Sequence, residues 1–217
     1  MDWIIRQSPF THAAWGLLLA CAAEQFLVGH AAWGWVALSG AGACLMWVLF
    51  ERYGGLVAPR SFIAGFAVFV VATLMLGEIR LFYAWWWWDV VVHTVAGLGF
   101  GAFGALIARG LGLAEWKRVA IVAFLFGTAC GALWELFEYL VDVTFGIDTQ
   151  TSLPDTMHDL ACNTAGSLGG AAVGGAWAAG RDTGPVGACL DDFVVANPRL
   201  LGDAEGETGT QREMEGV

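Results

Sequence analysis

The chain has 217 residues, 58% of them hydrophobic and 14% charged, with a mean hydropathy of +0.63 and a formal net charge of −10. A water-soluble domain carries about a quarter of its residues charged, so this composition excludes most soluble readings. Plentiful aromatics and the negative charge exclude disorder, collagen-like repeats and nucleic-acid binding as well.

An α-helix needs about 20 apolar residues to cross a bilayer, and about six such windows follow one another, at residues 10–28, 31–50, 61–76, 89–108, 119–140 and 159–179. The predicted fold is all-α: a polytopic transmembrane bundle over residues 1–179 and an acidic, mostly flexible tail over 180–217. The third window can extend toward the run Phe82-Tyr83-Ala84-Trp85-Trp86-Trp87-Trp88, whose composition suits a belt at headgroup level. Leu18-Leu19-Ala20-Cys21 has the look of a lipoprotein cleavage box, but the segment before it carries only Arg6 against Asp2, which argues against a signal peptide.

Cytoplasmic connections retain Lys and Arg. With six spans, Arg6, Arg52, Arg60, Arg109, Lys117, Arg118 and Arg181 all fall on one side and only Arg80 falls on the other, so both termini are predicted to be cytoplasmic. The five cysteines, Cys21, Cys44, Cys130, Cys162 and Cys189, lack CxxC spacing and imply neither a disulfide framework nor a zinc ribbon. The tail holds eight acids against Arg181, Arg199 and Arg212, half of the net charge, with a short docked segment expected around residues 190–195 and a cytoplasmic protein partner as one use for it.

Twelve carboxylates remain outside the tail, and only Asp2, Glu51 and Glu115 lie on the cytoplasmic side. The other nine are Glu24, Glu78, Asp89, Glu135, Glu138, Asp142, Asp148, Asp155 and Asp159, joined by His93, His158 and Asn163. Residues three or four apart share a helix face. Asp89 and His93 are so related in the fourth span, Glu135, Glu138 and Asp142 in the fifth, and Asp155, Asp159 and Asn163 in the sixth.

Glycines mark where these faces point, since small residues at such spacing let membrane helices approach closely. His93 leads to Gly97 and Gly101, Gly127 and Gly131 precede Glu135, and Asn163 leads to Gly166, Gly170 and Gly174. The acid-bearing faces are therefore predicted to pack together and form one polar cluster. Asp142 and Asp148 also suit a solvated outer surface, Glu24 and the pair Glu78/Arg80 suit structural pairing, and His12 and His30 suit the membrane interface.

An ionised group near mid-membrane costs about 2.5 to 3.5 kcal/mol on insertion scales, and packed carboxylates repel one another. A divalent metal relieves both penalties. Mixed carboxylate and imidazole ligands suit iron, manganese or zinc, whereas carboxylates with water suit magnesium or calcium. The candidate metal ligands are Asp89, His93, Glu135, Glu138 and Asp159; the candidate general bases are Glu135 and Asp155; His158, Asn163 and Asp142 complete the polar cluster.

The ordered set Asp89-x3-His93, Trp134-Glu135-x2-Glu138-Tyr139 and Asp155-Thr156-x2-Asp159-x3-Asn163-x2-Gly166 resembles the YjdF-type family of inner-membrane proteins, over about residues 60–175. A looser likeness runs to VanZ-like membrane proteins, which are associated with glycopeptide-antibiotic tolerance. The resemblance implies a polytopic bundle in a bacterial inner membrane with these polar positions as the shared site. The connection after Asp142 carries Gln150 without the fuller Gly-Asp-rich stretch of that family.

The leading functional expectation is an outward-facing metal site acting on a lipid or lipid-linked amphiphile, with the metal polarising a phosphoryl or acyl oxygen or acidifying a water. Neither a GxxxxGKS/T loop nor a GxSxG elbow is present. A proton or divalent-cation transporter is the first alternative, although its path would need ionisable groups in the inner halves of the spans and an internal repeat. A non-catalytic subunit that recruits a partner through its tail is the second.

Overall fold

The computed structural model of the protein describes residues 7–79 and 85–202, the side chains of residues 77–79 excepted. Asp2, Arg6, the side chain of Glu78, Arg80, the start of the aromatic run and the acids beyond residue 202 lie outside the described residues. Among those described, every regular element is helical: α1 (Pro9–Leu27), α2 (Ala31–Leu49), α3 (Arg60–Val70), α4 (Trp86–Gly110), α5 (Trp116–Phe145), α6 (Leu153–Ala178), α7 (Gly184–Ala196) and the single turn α8 (Pro198–Leu201). The ends of α2 and α3 widen into π-helical turns at Phe50–Gly54 and Val71–Ile79.

Local chemistry sets these boundaries. Ser8 caps α1 by accepting from Thr11 N ahead of Pro9, Glu115 caps α5 by accepting from Lys117 N and Arg118 N, and Ser152 caps α6 by accepting from Asp155 N. Gly146, at φ 66°, ends α5 in the left-handed conformation that favours glycine. The largest departure from the hydropathy windows is at α6, which begins six residues before Asp159. Its first turn and a half is too polar to register as apolar, yet the Ser152 cap and the following Pro154 start a helix there. As a result Asp155 and His158 are helical residues.

Among the described residues three helices are long and apolar enough to cross a membrane, Ala31–Gly54, Trp86–Gly110 and Trp116–Phe145, and Arg60–Leu76 is a shorter apolar helix. At 19 and 26 residues α1 and α6 have the length but not that apolarity, α6 because much of it is glycine and the polar residues Asp159, Asn163 and Ser167.

Helices α4, α5 and α6 form one close-packed unit in which α4 and α6 run parallel and α5 runs against them. A Cβ on Gly101 would meet Ser167 O at 2.7 Å, on Gly104 the Cα of Ala123 at 2.7 Å, and on Gly127 the N of Gly101 at 2.8 Å. Gly97 and Gly166 likewise sit against the backbone of Asn163 and Thr94. The three glycine stripes thus face one another.

Helices α1, α2 and α3 form a second block, packed by side chains. Leu18, Val36, Cys44, Ala67, Val70 and Leu74 build its core, and Val141 of α5 joins that core with Trp134 and Ile147 packed against it. At the opposite end, Trp47, Ile63 and Leu106 pack with Leu190, Phe193 and Leu201. Composition places residues 184–201 in a mostly flexible tail, whereas they are helical and docked. Phe193 is 1% exposed and stands edge-on to Phe62 at 4.9 Å. Asn197 Oδ1 accepts from Val57 N and its Nδ2 donates to Val57 O, both at 2.7 Å, and Arg109 Nε donates to Leu201 O. The docked stretch is longer than the expected 190–195.

Candidate functional site

The polar cluster lies at the end of the three-helix unit where α4 and α6 begin and α5 finishes. Asp89, in the first turn of α4, puts its carboxylate beside His93 one turn on, with Oδ1 3.3 Å from His93 Nε2. Asp159, near the start of α6, brings Oδ1 to 4.0 Å from the same nitrogen. Glu135, two-thirds of the way along α5, approaches the other side of the ring, with Oε1 3.9 Å from His93 Nδ1. One ligand atom from each of Asp89, His93 and Asp159 can be chosen so that all lie within 4.8 Å of one another.

These groups are buried. Glu135 and Asp159 are each 5% exposed and His93 6%, while Asp89 is half-buried. Glu135 Oε1 and Asp159 Oδ1 are shielded from solvent and accept no hydrogen bond. A buried acceptor left unmatched costs about 1 to 3 kcal/mol, more if charged. Asp159 Oδ1 faces Nε2 and Glu135 Oε1 faces Nδ1, so a cation between Nε2 and the two aspartates would supply the partner that Asp159 Oδ1 lacks. The donor set of two carboxylates and one imidazole fits a divalent ion such as zinc, manganese or iron.

The surroundings hold Glu135 in place. Gln150 Nε2 donates to the Glu135 backbone carbonyl at 2.8 Å and to its Oε2 at 3.2 Å. Gln150 is itself positioned by Asp142, which accepts from Thr149 N, Thr149 Oγ1 and Gln150 N at 2.7 to 2.9 Å. Below the cluster, buried Asn163 lies against Gly131, where a Cβ would collide with its side chain, and its Oδ1 accepts from Ser167 Oγ at 3.4 Å.

Of the candidate residues, Asp89, His93, Glu135 and Asp159 come together, with Asn163 beneath. Glu138 is buried but is not one of the three grouped ligands; its Oε1 accepts from Trp134 Nε1 at 2.7 Å. Asp142 is a loop anchor rather than a member of the cluster. Asp155 is half-buried and accepts from Thr151 Oγ1 at 2.7 Å, and His158 is exposed, with Nε2 3.9 Å from Cys162 Sγ. Glu24 and Asp148 are exposed. Gln150 is the site residue that sequence reasoning missed. It stands where the chain departs from the resembled pattern, and that departure was the available signal.

A cavity of about 460 Å³ adjoins the cluster. It separates the two blocks at mid-length, and His93, Gly131 and Asn163 form part of its wall.

Fold and site together define a helical membrane protein with a buried carboxylate/imidazole cluster held between three glycine-packed helices. The chain belongs to the predicted membrane protein family DUF2238, whose profile matches residues 10–180. This is the family to which the YjdF-type resemblance points. The match also takes in α1 and α2, to which the resemblance did not reach, and it stops before α7. No curated protein and no solved structure matches the chain.

Proposed function

We propose that this chain is a membrane protein of about six spans with both termini cytoplasmic, whose Asp89, His93 and Asp159 hold a divalent metal ion and act on a lipid or lipid-linked amphiphile. The observation that carries the reading is the pair of buried, unmatched oxygens, Asp159 Oδ1 and Glu135 Oε1, on opposite sides of one imidazole. In this arrangement Nδ1–H would point at Glu135 Oε1, 3.9 Å away, and leave the Nε2 lone pair directed at the two aspartates. A carboxylate behind a ligating histidine sets tautomer and ring orientation in this way. Glu135 is then an orienting group rather than a ligand.

A bound metal would supply Lewis-acid polarisation of a phosphoryl or acyl oxygen, or a water of lowered pKa. Asp155, one turn nearer the helix start than Asp159 and half-buried, would serve as the proton acceptor. The transport alternative finds less support. Beyond Asn163 and Ser167 the described contacts of α4, α5 and α6 are made largely by Gly, Ala and apolar side chains, and the next ionisable group among them is Arg109, over Trp177 at the far end.

Elemental analysis of protein purified gently in detergent at neutral pH tests the reading. About one metal per chain is expected, lost in Asp159→Asn and His93→Ala, while Glu135→Gln weakens affinity about 10- to 100-fold and leaves the stoichiometry at saturation unchanged. Metal-free wild-type protein that takes up no zinc, manganese or iron on titration would overturn it.

A further inference from the structure

The cavity between the two blocks is apolar in a specific sense. Its lining includes Ser39, Thr73, Trp134, Cys130, His93 and Asn163, and the first three already use their polar groups elsewhere. Ser39 Oγ donates to Val36 O at 2.7 Å, Thr73 Oγ1 donates to Phe69 O at 2.8 Å, and Trp134 Nε1 is taken by Glu138. What remains facing the space is hydrocarbon and aromatic surface, with the His93 and Asn163 side chains at the wall shared with the polar cluster. Apolar volume joined at one point to convergent polar groups is the form of a site for an elongated amphiphile.

Its size and its opening narrow the occupant further. A methylene takes somewhat less than the roughly 30 Å³ share of a liquid water molecule, so about 460 Å³ holds one chain of some fifteen or more carbons. Leu133 and Phe137 line the cavity and yet are 64% and 42% exposed, on the outer face of α5. The cavity therefore communicates sideways with the surface that meets lipid, which is how a chain already dissolved in the bilayer would enter.

We infer that this cavity seats one hydrocarbon chain of an amphiphile whose anionic oxygen head reaches the Asp89–His93–Asp159 cluster past His93, which lines the cavity. The inference rests on the proposed metal site and names the substrate class for it.

The test uses full-length protein in phosphatidylcholine nanodiscs and a hexadecyl phosphate bearing a mid-chain diazirine. After irradiation, labelled peptides are mapped by mass spectrometry. Labels are expected in residues 66–74 and 130–137 together, competed by unlabelled hexadecyl phosphate. Ala43→Phe, which fills the cavity from α2 away from the cluster, is expected to cut labelling about tenfold without changing metal content. Labels confined to the exposed face of α5, absent from residues 66–74 and not competed by unlabelled hexadecyl phosphate, would overturn the inference without recourse to any variant. Cavity labelling that is unchanged by chelation, in a protein holding no metal, would leave the chain seat standing and bring down the metal reading instead.

Discussion

The two halves of the bundle solve the same packing problem with opposite materials. In α4–α6 glycines put backbone against backbone: Gly101 against Ser167, Gly104 against Ala123, Gly127 against Gly101. In α1–α3 the contacts are made by Leu18, Val36, Val70 and Leu74, with Trp15, Trp33 and Phe66 around them. Backbone contacts leave no rotamer freedom, and three helices locked in this way hold four ionisable groups at fixed separations. Side-chain contacts tolerate irregular fit, and the 460 Å³ space lies where the side-chain-packed block meets the glycine-packed one. Rigid geometry for the polar groups and room for an apolar guest thus come from different halves.

The sharpest way to break this contrast is to add bulk to a backbone contact. A Cβ on Gly166 would run into the carbonyl of Thr94 and stand 2.9 Å from Leu98 N, and neither is the end of a flexible side chain. Gly166→Leu is expected to force α6 off α4 at a cost above about 4 kcal/mol, the range reserved for gross disruption. The readout is loss of the cooperative thermal transition in detergent, together with loss of bound metal. A protein that melts normally would show that the two helices do not meet here.

The next largest effect concerns the joint between the halves. Phe193 reaches Phe62 of α3 at 4.9 Å and Phe103 of α4 at 5.6 Å, so it touches both blocks at once. Phe193→Ala removes a fully buried ring and is expected to cost about 3 kcal/mol. Faster proteolysis within residues 180–202, with metal content unchanged, is the accompanying sign. Unaltered protease resistance would mean that Asn197 and Arg109 hold the segment without the ring.

Much of this organisation was legible in the residues. Apolar windows located α1 to α5 closely because a bilayer demands long apolar runs, and the three- and four-residue steps through Asp89, His93 and Gly97 or through Asp159, Asn163, Gly166 and Gly170 placed acids and glycines on common faces. The start of α6 was hidden because a capped, polar first turn has no hydropathy signal. Docking of α7 was obscured by Asp191 and Asp192, which read as solvated tail, although Gly187, Leu190 and Phe193 recur every three residues along one side. Neither Gln150 folding back fifteen residues onto Glu135 nor a space between two helix blocks has a local pattern, since both arise only from tertiary placement.

The smallest effect is also the cleanest, because it uses the same methyl group on both halves. Gly42 lies within α2 with nothing inside 4 Å of an added Cβ, whereas a Cβ on Gly97 of α4 would strike the backbone of Asn163. Interior helix glycines are less favourable than alanine by about 0.5 to 1 kcal/mol, since glycine loses more backbone freedom on folding. Gly42→Ala has nothing to displace and is expected to raise stability by that amount, read as a small upward shift of the thermal midpoint. In Gly97→Ala the same gain is outweighed by separating α4 from α6 at the level of Asn163, so the midpoint falls. Opposite signs for one chemical change isolate packing from propensity. Two upward shifts would mean that the α4–α6 contact yields easily, and the rigid support claimed for His93, one turn from Gly97, would go with it.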